Sequence, residues 1–130
     1  VRACAAGRRA PLLPDAFEAE LQRKGFANAR DDRPLVVGLY RSSFARRFGS
    51  AEALAYAGLE WGDEEMRQLS AVLSSGAAPR LRDLLLHSNR VGDEGAARLA
   101  GALRTLGALP ALTSVDLRRN LVGDEGAARL

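Results

Sequence analysis

Side chains able to do nucleophilic, acid–base or metal chemistry are few in this chain, and their spacing decides what they can be. His87 is the single histidine and Cys4 the single cysteine. A zinc site built on this distant pair would need several supporting carboxylates, and no ligand spacing supplies them. Cys4 sits in an irregular arm with no evident activating base, so a Cys-His nucleophile is not indicated. Ser42-Ser43 and Ser74-Ser75 lack the glycines of a nucleophile elbow. Gly92-x-x-Gly95 lacks the Lys and Ser/Thr that a phosphate-binding loop needs. The pairs Asp93-Glu94 and Asp124-Glu125 have the composition of an acid/base dyad. They stand where helices should begin, and carboxylates there accept free amide hydrogens and complement the helix dipole. The spacing therefore predicts no catalytic residue, no cofactor and no metal, and gives Asp93 and Asp124 a structural role.

The acidic pairs recur because the segment around them is duplicated. Leu81–Leu99, LRDLLLHSNRVGDEGAARL, returns as Leu112–Leu130, LTSVDLRRNLVGDEGAARL, with GDEGAARL identical at an offset of 31 residues. That period lies in the range of stacked supersecondary units. Aligning Gly62-Asp63-Glu64 with Gly92-Asp93-Glu94 adds a degenerate earlier unit, so the repeats run 51–80, 81–111 and 112–130, the last cut short. Leu84 and Leu86 are two apart, which in a strand sends both inward and Leu85 outward. Val115 and Leu117 repeat this arrangement. Asn89 and Asn120 follow at the strand exits, where an inward amide can satisfy backbone groups of the turn and of the next layer. Together they predict an asparagine ladder, broken at Leu59. Val91, Val122 and Trp61 are expected to pack under the turn. Ala96, Leu99, Ala100 and Leu103 then recur as one buried helical face.

The first fifty residues lie outside this periodicity. Residues 1–10 read as a disordered or extended arm and 11–50 as a helical flank. Asp15 is expected to N-cap a helix reaching about Ala27. Asn28–Arg33 reads as a loop because Pro34 forbids a helix across it. Leu35–Tyr40 fits either a buried strand or a helix continuing to Phe48. Tyr40, Phe44 and Phe48 share a helical face expected to pack on the first repeat. Residues 1–50 hold ten Lys/Arg against five Asp/Glu, whereas the rest of the chain is slightly acidic. These charges form no dense run and read as a solvated surface. One cysteine excludes an internal disulfide framework and points to a reducing, cytoplasmic setting. No apolar run approaches membrane-spanning length. The chain begins without Met and stops inside a repeat, which reads as a fragment of a longer protein.

The motif L-x-x-L-x-L-x-x-N at Leu81, Leu84, Leu86 and Asn89, with the acid at the helix start and the repeat length, resembles the long leucine-rich repeats of the ribonuclease-inhibitor type. Similar repeats occur in Ran GTPase-activating proteins and in the sensor regions of NOD-like receptors. The resemblance covers Leu81–Leu130 closely and Ala51–Arg80 loosely. It implies an α/β solenoid, right-handed, with parallel strands on the concave side, helices on the convex side and an N-terminal helical flank. On that geometry the outward strand positions are Ala53, Ala55 and Ala57; Asp83, Leu85 and His87; and Ser114, Asp116 and Arg118. They form the candidate contact surface for a protein partner, led by Leu85, His87 and Arg118. The resulting expectation is a non-enzymatic interaction module. A regulator of a small GTPase, acting through Arg90 or Arg119 at the solenoid edge, is the alternative. Nucleic-acid contact through the basic arm ranks below it. Self-association is expected through the uncovered strand edge at Val115–Leu117.

Overall fold

The computed structural model of the chain describes residues 9–23, 33–105 and 107–129. Cys4, most of the expected arm and the expected loop at 28–32 lie outside the described residues. The three repeats each open with a three-residue strand, β1 (Ala53–Ala55), β2 (Asp83–Leu85) and β3 (Ser114–Asp116). These pair in parallel in the order β1-β2-β3. Leu54 lies opposite Leu84, and Leu84 opposite Val115. One register therefore puts the same motif position of every unit on the same side of the sheet. Leu54, Tyr56, Leu84 and Leu86 point inward and are fully buried. In the third unit Val115 and Leu117 are half-buried.

A helix follows each strand: α3 (Asp63–Ser74), α4 (Asp93–Leu103) and α5 (Asp124–Arg129). Neighbouring helices pack on one another, α3 on α4 and α4 on α5. Met66, Leu69, Val72 and Leu73 of α3 share one buried cluster with Leu54, Leu84 and Leu86, and Leu99 and Ala102 of α4 join them. Strands this short form few ladder bonds, each worth about 1 kcal/mol net. A fully buried leucine contributes about 2 kcal/mol, so the inter-layer core carries more of the fold than the sheet does. Trp61 and Val91 are buried beneath the turns, as their position predicts.

Ahead of the repeats lie α1 (Pro14–Arg23) and α2 (Arg33–Ser50). Pro14 opens α1, a position whose amide has no helical partner to lose, so Asp15 falls inside the first turn and not at the N-cap. The same reasoning corrects the expected loop end. Pro34 occupies the first turn of α2, the helix already includes Arg33, and Leu35–Tyr40 is helical and continuous with Phe48. The aromatic stripe packs as its spacing predicts. Tyr40 stacks on Phe17 at 4.0 Å between ring centroids, Phe44 meets Phe48 at 4.7 Å, and Phe48 joins the buried cluster containing Ala51 and Leu54. The exposed ion pair of Arg41 with Asp15 at 2.6 Å links the two helices, and such pairs add little stability.

Candidate functional site

Two sets of side-chain bonds hold the layers in register, and they run in opposite directions along the chain. Asn89, only 5% exposed, accepts the amides of Leu59 and Trp61 on Oδ1 at 2.9 and 3.0 Å. Its Nδ2 donates to the carbonyls of Tyr56 and Leu86 at 2.8 and 3.0 Å. Asn120 repeats this one layer on, accepting from Val91 at 3.0 Å and donating to Leu86 and Leu117 at 2.9 and 3.0 Å. The asparagines therefore serve their own turn and the preceding layer, where the sequence suggested the next one. Among the described residues no strand precedes β1 for Leu59 to serve, which accounts for the missing rung.

The aspartates point the other way. Asp63 Oδ1 accepts the amides of Gly92 and Gly95 at 2.8 and 3.0 Å, capping the start of the following helix α4. Asp93 likewise accepts from Gly123 at 2.6 Å, beside α5. The expected cap is thus delivered across layers, because each helix start lies against the aspartate of the unit before it. Asp124 occupies the same first-turn position in α5. Helix α3 belongs to the first unit, and there Glu65 turns back to accept the Gly62 amide at 2.8 Å. Reading the sequence alone missed Asp63 and Glu65. The signal was the change from Gly92-x-x-Gly95 and Gly123-x-x-Gly126 to Gly62-x-x-Glu65.

This scaffold brings together all nine side chains predicted for the outer face of the sheet. Ala53, Asp83 and Ser114 lie side by side, as do Ala55, Leu85 and Asp116. Backbone bonds from Gly58 to His87 and from Ser88 to Arg118, at 3.1 and 2.8 Å, extend the alignment to Ala57, His87 and Arg118. Asp83, Ser114 and Arg118 are exposed, and Leu85, His87 and Asp116 half-buried. The first row offers only small apolar side chains.

Charge on this face is organised around Asp116. Arg118 reaches it with Nε at 3.0 Å and Nη2 at 2.8 Å, and donates its backbone amide at 3.1 Å. These bonds, the guanidinium foremost, hold the Asp116 carboxyl down at about 2 and push Arg118 further up. Asp116 therefore stays ionised in neutral solution. The His87 Nδ1 lies 3.3 Å from Ser88 Oγ. Past the strand ends, His87, Ser88, Arg118 and Arg119 line a hollow of about 240 Å³. Gly58, Ser88 and Arg119 hold equivalent turn positions with φ of 68, 61 and 59°. Only glycine adopts that conformation without cost. Arg90 pairs with Glu60 at 3.4 Å. Among the described residues no cluster of three or more His, Cys, Asp or Glu could hold a metal ion, and no helix is long and apolar enough to cross a membrane.

Residues 79–100 and 109–130 match the leucine-rich repeat family. The matched segments contain β2 with the start of α4, and β3 with α5. No curated protein matches the chain. Leucine-rich repeats commonly mediate protein–protein interaction, and the family is typically non-enzymatic.

Proposed function

We propose, from a chain that carries leucine-rich repeats in its second and third units, that this protein is a non-enzymatic module holding a protein partner against the outer face of its sheet. On this reading the units stack as a right-handed solenoid of the ribonuclease-inhibitor type, and that face is the concave one. One observation carries the proposal. Three strands in register present Asp83, Leu85, Ser114, Asp116 and Arg118 on a side that the helices, packed against the opposite side, leave uncovered. Leu85 offers an apolar anchor between Ala55 and Asp116. Arg118 is held in place by Asp116, so less side-chain freedom is lost when a partner engages it. Arginine and well-packed apolar anchors are the side chains that carry interface energy.

The test is affinity capture from native extract with the whole protein, comparing wild type with the double variant Leu85→Glu/Arg118→Glu. Neither side chain is part of the buried core, so the variant keeps its fold. A partner retained by the wild type and released by the variant is the expected result. Capture that is the same for both proteins would remove the sheet face from consideration.

A further inference from the structure

We infer that the hollow at the carboxyl ends of β2 and β3 is a carboxylate-recognition pocket, taking an aspartate or glutamate side chain of the protein partner. The inference rests on the reading of the outer sheet face as the binding surface, and names the chemistry that one end of that surface selects. Its walls are His87, Ser88, Arg118 and Arg119 around about 240 Å³. Turns at the carboxyl ends of parallel strands are where α/β folds place ligand-facing groups.

Backbone conformation supplies an independent argument. At the turn position where the first unit has Gly58, the second and third units place Ser88 and Arg119 at φ of 61 and 59°. A left-handed residue with a Cβ carries a steric cost. The two side chains held at that cost put a hydroxyl and a guanidinium at the same hollow.

Charge then selects the ligand class. Arg118 is already neutralised by its two-point pairing with Asp116. Arg119 is exposed and makes no ion pair among the described residues. One guanidinium fork is left over, and its geometry matches one planar monoanion. A dianionic phosphate would bring an uncompensated negative charge beside Asp116, which disfavours it. The Ser88 hydroxyl can add a neutral hydrogen bond. Next along the same face, Leu85 and Ala55 lie side by side. The partner segment is therefore one that carries an acidic residue a short, fixed distance from an apolar one.

The experiment is selection of a phage-displayed random peptide library on the whole chain and on its Arg119→Gln variant, followed by affinity measurement on synthesised winners. Expected winners carry Asp or Glu at a fixed spacing from an apolar residue. Replacing that acid by its amide, or Arg119 by Gln, should each lower affinity about tenfold, and both together no more than one alone. Arg119→Gly, which relieves the turn while deleting the guanidinium, should lose as much as Arg119→Gln, separating recognition from misfolding. Winners with no acidic preference, or a preference that survives Arg119→Gln, would overturn the pocket. So would a phosphoserine version of a winner that binds more than about tenfold tighter than its glutamate version, since that ratio marks a dianion site. Leu85→Glu separates this inference from its premise. Winners insensitive to Leu85→Glu would refute the sheet face itself. Loss on Leu85→Glu without any acid preference would refute only the carboxylate pocket. A selection yielding no winners would count against both.

Discussion

At Gly95 an added methyl carbon would lie 2.5 Å from Asp63 Oδ1, 2.9 Å from Val91 Cγ1 and 3.3 Å from the Asp63 main chain. The carboxylate cannot swing aside without giving up the amides of Gly92 and Gly95, and the main chain cannot move without shifting α3. Gly126 stands in the same relation to Asp93, with contacts of 2.5 and 2.9 Å. The recurrent glycine is thus required by the aspartate of the neighbouring layer, since neither Gly95 nor Gly126 has a left-handed φ. Gly101, in the same helix as Gly95, has no atom within 4 Å of the corresponding methyl position. We expect Gly95→Ala to cost about 2–3 kcal/mol through overpacking and loss of the cap. Gly101→Ala should gain about 0.5–1 kcal/mol, because alanine is the better helix former. Urea unfolding midpoints that moved in the same direction for both variants would disprove the distinction.

Turns and helix starts, taken as elements, are completed by their neighbours. The strand exit around Leu59–Trp61 has two of its amides satisfied by an oxygen that belongs to Asn89, one layer away. Asn89→Ala would leave those amides and the carbonyls of Tyr56 and Leu86 short of partners around a buried position, at about 3–5 kcal/mol. The half-buried Asn120 makes equivalent bonds, but water can replace them, so Asn120→Ala should cost less. Hydrogen exchange gives the check. In Asn89→Ala the Trp61 amide should exchange faster by more than the global loss of stability explains, and unchanged relative protection there would contradict the assignment. Helix α3 differs from α4 for the same reason, since Glu65 supplies from within what Asp63 supplies to its neighbour.

Over the whole molecule, these links make the fold a chain of nearest-neighbour couplings, the behaviour of repeat proteins. The first layer is closed by the aromatic stripe of α2, with Phe48 inside the core. At the other side of the sheet, among the described residues, β3 pairs with β2 alone. Leu121, in the turn after it, is 68% exposed. An edge with free backbone groups beside an apolar side chain favours pairing between copies. Sedimentation should therefore show a mass that rises with protein concentration, and Leu121→Lys should reduce that rise. A single monomeric species at every concentration would refute the expectation.

What the sequence determined by itself is everything that depends on local period. Side-chain alternation in a strand and recurrence every three to four residues in a helix follow from backbone geometry. Leu84, Leu86 and Asn89 are therefore turned inward, and Asp83, Leu85 and His87 outward, by spacing alone. Tyr40, Phe44 and Phe48 could be placed on one face for the same reason, although Leu35–Tyr40 remained open because a short apolar run suits a strand and a helix alike. Only the tertiary structure decided which layer each polar side chain serves. Asn89 reaches back 30 residues to Leu59, while Asp63 reaches forward 29 residues to Gly92. In a duplicated sequence the units before and after present nearly the same groups, so spacing cannot distinguish the two directions. The stacking of layers does, because it brings each aspartate over the next helix start and each asparagine under the previous turn.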